Sequence, residues 1–241
     1  INAGGTMATP NSDNGILING VNNTQVGNGS PTGRNVIAGN ASNGSVLGDT
    51  GHGVRIENNA DAITFLDNYI GLNASGSSAI PNAADGININ NSTNVEIGDN
   101  TAAGRNVISG NTGQGIYTLG ETATLNIRGN YIGVDSAGLN ALGNNHGIYL
   151  NRSAGSQITN NVVSGQRGYG IILYYSANNT VTGNIAGLDK DGLSIIANRQ
   201  CGLWIAKTSA TASAIGNTVG GTTSATRNLF SGNGNCGVLI E

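Results

Sequence analysis

The chain has 241 residues, of which 40 are Gly and 38 are Asn; 10% are charged, 4% are aromatic, and the formal net charge is −3. Gly and Asn tolerate positive φ, so a chain this rich in them is built from turns and short extended pieces rather than helices. Recurrent Ile, Val and Leu argue against disorder, the lack of a basic cluster argues against a nucleic-acid reader, and no apolar run approaches the ~20 residues of a membrane-spanning helix.

Taken in chain order, one short motif returns throughout: Gly, aliphatic, any residue, aliphatic. It reads GILI from Gly15, GVRI from Gly53, GINI from Gly86, GIYT from Gly115, GIYL from Gly147, GIIL from Gly170, GLWI from Gly202 and GVLI from Gly237. The first position after Gly is always Ile, Val or Leu, and the third is aliphatic in every copy but one, which carries Thr118. The middle position is mixed: Leu17, Arg55, Asn88, Tyr117, Tyr149, Ile172, Trp204 and Leu239. This alternation predicts a strand with one buried face, the same face in every copy.

Between the copies lie two further patterns that roughly alternate. One is GRNVIAGN from Gly33 and GRNVISGN from Gly104, with looser forms from Asn160 and Thr226. The other is DNYIGLNASG from Asp67, GNYIGVDSAG from Gly129 and GNIAGLDKDG from Gly183. Each supplies short strands that end at Asn or Gly and turn a corner. The spacing between strand motifs is too long for tight hairpins, and no helical period fills it. The remaining solution is a single-stranded parallel β-helix of about eight coils over residues 1–241, with right-handed crossovers expected.

Cys201 and Cys236, the only cysteines, each precede the strand motif by one residue and so share a register in adjacent coils. At the ~5 Å spacing of stacked strands they fall within reach of a disulfide or stack as buried thiols.

GRNVISGN, GNYIG and the recurrent GI-x-I resemble the repeats of the pectin-lyase-like right-handed parallel β-helix superfamily. They look most like the parallel β-helix arrays of large secreted bacterial surface proteins. The resemblance covers essentially the whole chain and implies an extracellular or cell-surface location. It also implies that Asn111, Asn130, Asn184 and Asn233, each following Gly at a corner, bond to equivalents one coil away. Because this fold hosts lyases, hydrolases, epimerases, tailspikes, adhesins and inert stalks, it does not choose among them.

Enzymes of this superfamily commonly lay polysaccharide along the outer face beside the repeated strand. That face here carries Arg55, Asn88, Tyr117, Tyr149 and Trp204, with Tyr174 two residues past Ile172. Stacked aromatics can hold sugar rings, with Arg55 or Asn88 on hydroxyls or carboxylates, or can simply shield the sheet. His52 and Asp85 precede strand glycines in adjacent coils, with Arg55 close by, and such a cluster is suited to acid–base work. The same register also holds Asn14, Gln114 and Tyr169, which suits a tolerant turn position. Two His are too few for a His-built metal site, DKDG at Asp189 is a lone fragment of a calcium loop, and no cofactor motif appears. Sequons at Asn73, Asn91 and Asn151 are expected by chance in such a composition.

The expected function is an extracellular stalk or surface-adhesion segment that takes polysaccharide or cell-surface glycan as partner. The alternatives are a polysaccharide lyase, hydrolase or epimerase, and a trimeric tailspike-like module. No signal peptide, membrane insertion or end cap is visible, and the opening residues match the stretch that follows NY in NYIGLNASG. That reads as a segment of a longer solenoid, with head-to-tail self-association as the sharper form of the idea.

Overall fold

A computed structural model describes residues 1–42, 50–207 and 214–241. Among these residues the chain winds through three parallel sheets, visiting them in the same order on every turn, which is a parallel β-helix. The first sheet is made of the repeated motif: Ile16–Asn19, Val54–Glu57, Ile87–Asn90, Ile116–Leu119, Ile148–Asn151, Ile171–Tyr174, Leu203–Ala206 and Val238–Ile240. The third sheet stacks Asn35–Ile37, Asn68–Ile70, Val107–Ile108, Tyr131–Ile132, Val162–Val163, Ile185–Ala186 and Leu229–Phe230. The second sheet closes the turn between them, from Asn22–Val26 to Thr218–Val219.

The sequence sets the register. First positions pair in a column, Ile16 with Val54, Val54 with Ile87, Ile87 with Ile116, and Ile116 with Ile148. Val54, Ile87, Ile116 and Ile148 are fully buried, and one continuous core runs from Ile18 to Ile205. Thr118, the exception in that column, is buried but satisfied. Its Oγ1 accepts the Asn151 N–H at 2.8 Å and donates to the Asn151 carbonyl at 3.2 Å. The strand-leading glycines are required by crowding: a Cβ on Gly53 would lie 2.7 Å from the Gly86 carbonyl oxygen and 2.8 Å from Asn82 Nδ2.

Two ladders of amides line the corners. Asn35, Asn68, Asn106, Asn130, Asn161, Asn184 and Asn228 form one, each Nδ2 donating to the next Oδ1 at 2.9–3.1 Å. Asn11, Asn40, Asn82, Asn111, Asn144, Gln166, Asn198 and Asn233 occupy the other corner in successive coils. Each interior member also caps backbone groups, so buried N–H and C=O groups at the corners are paired. Both ladders have the same polarity, with donors directed toward the C-terminal end.

The coils alternate between two corner types. Short corners carry five residues from one ladder to the other, as from Asn35 to Asn40. Long corners project a lobe closed by an antiparallel bridge: Leu72 with Ala79, Val134 with Ala141, and Leu188 with Ile195. Successive lobes touch, with the Ser136 N–H on the Gly76 carbonyl at 2.9 Å and the Lys190 N–H on that of Gly138 at 3.0 Å.

Cys201 and Cys236 are joined in a disulfide across adjacent coils, with Cα atoms 4.5 Å apart. The bridge closes a loop of 35 residues. By chain entropy such a loop is worth about 3–4 kcal/mol. Urea unfolding of the Cys201→Ser, Cys236→Ser double variant is expected to show a loss of about that size.

Candidate functional site

The outer column of the first sheet falls in register: Leu17, Arg55, Asn88, Tyr117, Tyr149, Ile172, Trp204 and Leu239. Its two halves differ in kind. In the N-terminal half, Arg55 and Asn88 are buried, with 7% and 6% exposure. Arg55 Nε donates to Glu57 at 2.6 Å, and Asn88 Nδ2 donates to Asp85 Oδ2 at 2.8 Å. Neither presents an open polar head to a ligand in this arrangement.

The C-terminal half is an aromatic array. The Tyr117 and Tyr149 rings lie 5.2 Å apart edge to face, and Tyr149 meets Tyr174 at 6.1 Å. Tyr174 approaches Trp204 at 6.3 Å and Tyr175 at 4.3 Å. Tyr169 stacks on Trp204, with centroids 4.9 Å apart and planes 23° from parallel. His146 touches both Tyr149 and Tyr169. All these rings are partly exposed, while Ile172 beneath them is only 1% exposed. Six of the ten aromatics of the chain therefore gather on one face over four coils.

Two of them, Tyr169 and Tyr175, lie outside the set that the strand alternation marks. Tyr169 precedes a strand glycine, and its ring folds over the next coil's Trp204. Tyr175 has a φ of +51°. Such a conformation is unusual for a bulky residue and costs about 1–3 kcal/mol. Its one signal in the sequence is the Tyr-Tyr pair at the strand end.

The array is electrically quiet. Burial, with neighbouring Tyr117, Tyr174 and Tyr175, pushes the Tyr149 phenol up to about 12. Burial alone pulls His146 below its ordinary 6.5. Trp204 Nε1 is buried without a hydrogen-bond partner. The surface is thus flat, apolar and uncharged near neutral pH, with polar edges, which is the chemistry that meets the C–H face of a sugar ring.

His52 and Asp85 do come together, with Nδ1 3.4 Å from Oδ2, and both are nearly fully buried. The geometry is that of a rung. His52 Nδ1 accepts the Asp85 backbone N–H at 3.1 Å, which leaves the ring proton on Nε2. Asp85 Oδ1 accepts the Gln114 N–H at 2.8 Å. The Asn14 side chain accepts the His52 N–H at 3.0 Å, and His146 Nδ1 accepts that of Tyr169 at 3.0 Å. In this column each side chain before a strand glycine binds the backbone of the following coil. No lone pair of the His–Asp pair is presented to a substrate.

Asp189 sits at the start of a projecting lobe and is fully engaged. Oδ1 accepts the N–H groups of Asp191 and Leu193 at 3.1 and 2.9 Å, and Oδ2 accepts that of Ser194 at 3.1 Å. Asn73 holds the same place two coils earlier, accepting from Ser77 and Ser78. The DKDG stretch is therefore a turn cap, with its carboxylate oxygens directed at N–H donors. These bonds, the Leu193 N–H foremost, hold the Asp189 carboxyl below its ordinary 3.8. A lowered folded value stabilises the fold above the unfolded pKa, and that contribution is lost as pH falls through the folded one. Asp189→Asn keeps an acceptor but removes the charge. Its stability deficit against the wild type is expected to shrink between about pH 5 and about pH 2, read by thermal unfolding.

Soft donors are few and scattered. The chain holds one Met, two His and two Cys. The cysteines are bonded to each other, Met7 is exposed on the first lobe, and His52 and His146 stand three strands apart, ~14 Å at the usual strand spacing. Among the described residues no three His, Cys, Asp or Glu converge.

A family model described as NosD, periplasmic copper-binding protein, matches residues 2–241. The chain belongs to the NosD family. Among solved structures, a double mutant of the periplasmic alginate epimerase AlgG superposes with a TM-score of 0.62 at 14% identity. The superposition covers 95% of this chain but 44% of AlgG, so the chain spans less than half of that protein, and the likeness is one of fold. No curated protein sequence matches the chain. The NosD description and the AlgG title both say periplasmic, which supports a location on the extracytoplasmic side and does not specify the cell surface. Among the described residues no helix is long and apolar enough to cross a membrane.

Proposed function

We propose that the chain is a rigid β-helical segment of a periplasmic protein that binds extended, uncharged glycan along its aromatic stripe without cleaving it. The carrying observation is the run of Tyr117, Tyr149, Tyr174, Tyr169 and Trp204 over four coils. A regular polymer lying along the rod meets a new ring at each coil. The fold shared with an alginate epimerase supports a polysaccharide-related role, and the rung-like geometry of His52 and Asp85 favours holding over turnover. Incubation with neutral and acidic polysaccharides, followed by measurement of retained ligand and polymer length, tests this. Retention of neutral chains at unchanged length is expected. Shortened chains or altered sugar stereochemistry would replace the proposal with an enzyme and return attention to His52, Asp85 and Arg55.

Copper, which the family description names, finds no centre in this donor set. Copper sites gather thiolate, thioether or imidazole ligands, and those of this chain do not converge. Equilibrium dialysis of the oxidised protein against Cu(II) is expected to leave well under one equivalent bound. A tightly held stoichiometric ion would overturn this reading.

A further inference from the structure

The last coil ends in a surface whose chemistry repeats, position for position, that of two interior coils. Each short corner begins with a residue whose side chain reaches the next coil. Arg34 lies over the Tyr69 ring at 4.1 Å, and Arg105 lies over Tyr131 at 4.1 Å. In the third short corner this place is Asn160, and the residue equivalent to the tyrosines is Ile185. Arginine thus goes with tyrosine in the following coil, and asparagine with isoleucine. The fourth short corner carries Arg227.

Three further features recur beside it. The carbonyls of Val26 and Ile97 accept Nδ2 of Asn68 and Asn130 from the next coil, at 2.9 and 2.7 Å; Val219 holds the same position. A Cβ on Gly27 would lie 1.8 Å from the Leu66 carbonyl oxygen, and one on Gly98 would lie 2.1 Å from that of Arg128; at Gly220, with φ of +84°, nothing stands within 4 Å. Asn228 Nδ2 donates back to the Val181 carbonyl, while the donor that interior ladder members extend to the next Asn has no following rung. Between Val219, Thr223, Arg227, Asn228 and Phe230 lies a concavity of about 530 Å³. Val238 and Ile240, on the unpaired edge of the first sheet, are 40% and 71% exposed.

We infer that this end is a docking surface for a β-helix coil of the long-corner type, an extended segment carrying Asn-Tyr-Ile-Gly. The asparagine of that segment accepts from Asn228 and donates to the Val219 carbonyl. The tyrosine ring lies under the Arg227 guanidinium, and the preceding residue covers Gly220. A tyrosine rather than an aliphatic residue is specified, because Arg227 supplies a cation where Asn160 does not. The inference is independent of glycan binding.

The test appends residues 58–90 after Glu241, which holds the place of Glu57 in the repeat. Covalent attachment removes the entropy of association, so failure to dock is informative. Hydrogen exchange is read at Thr218–Val219, Leu229–Phe230 and Val238–Ile240. The appended coil is expected to raise protection there by about 100-fold or more. Tyr69→Ile in the appended copy, or Arg227→Ala, is expected to remove about tenfold of it, and the double variant no more than either alone. No gain in protection overturns the inference, as does an equal gain in the presence of either substitution. Dimerisation of the unextended chain that Arg227→Ala abolishes would assign the surface to a second copy and overturn it too.

Discussion

Asn130→Ala is expected to lower the unfolding free energy by about 3–5 kcal/mol, among the largest effects of any single polar substitution here. Asn130 is fully buried. Its Oδ1 accepts both the backbone N–H and the Nδ2 of Asn106, and its Nδ2 donates to the Ile97 carbonyl at 2.7 Å and to Asn161 Oδ1 at 3.1 Å. Removing the amide leaves four groups in a dry corner without partners, each at a desolvation penalty of about 1–3 kcal/mol before relaxation. Asn145→Ala is the control. Asn145 is exposed and donates only to the Gln114 side chain, so its loss is expected to stay within about 0.5 kcal/mol. Urea unfolding of the two variants side by side decides the matter. Equal, small losses would mean that the ladder is a consequence of stacking rather than a cause of it.

The ladders also mark how far the sequence can be read. The strand columns are legible because a period of two within each motif and a Gly before it leave one way to bury the aliphatics. The amide ladders are legible only in part: Asn111 and Asn233 lie on one and Asn130 and Asn184 on the other, a division visible only once long and short corners are told apart. Gln166 takes an Asn place, its longer side chain still reaching the Ile132 carbonyl at 2.7 Å. The outer column is harder. Alternation says that Arg55, Asn88 and Trp204 point away from the core, and they do, yet pointing outward is not exposure. Asn88 and Arg55 lie buried against Asp85 and Glu57, partners set by three-dimensional packing. Tyr169 joins the aromatic array through a ring that swings across a turn, a choice its place in the sequence does not encode.

Trp204→Ala is expected to weaken retention of a neutral polysaccharide by about 10- to 100-fold while leaving the fold intact. Trp204 stacks against Tyr169 and stands on the outer side of the sheet, so its loss opens the array without emptying the core. Tyr149→Phe separates the face of the ring from its hydroxyl: retention that survives this change but not Tyr149→Ala assigns the binding to stacking. Acidity gives an independent check. With the Tyr149 phenol pushed up to about 12 by burial and by Tyr117, Tyr174 and Tyr175, the ring stays neutral where an ordinary tyrosine ionises. The burial that raises it stabilises the protonated form, a contribution complete below about pH 10 and lost as pH rises through about 12. His146, held below 6.5 by burial, carries no charge at neutral pH. Retention is therefore expected to be flat from about pH 7 to about pH 10 and indifferent to salt, then to fall together with stability above that range. Salt-sensitive retention of acidic chains that survives Trp204→Ala would move the binding surface off the stripe, because a neutral stack of rings has no counterion to exchange.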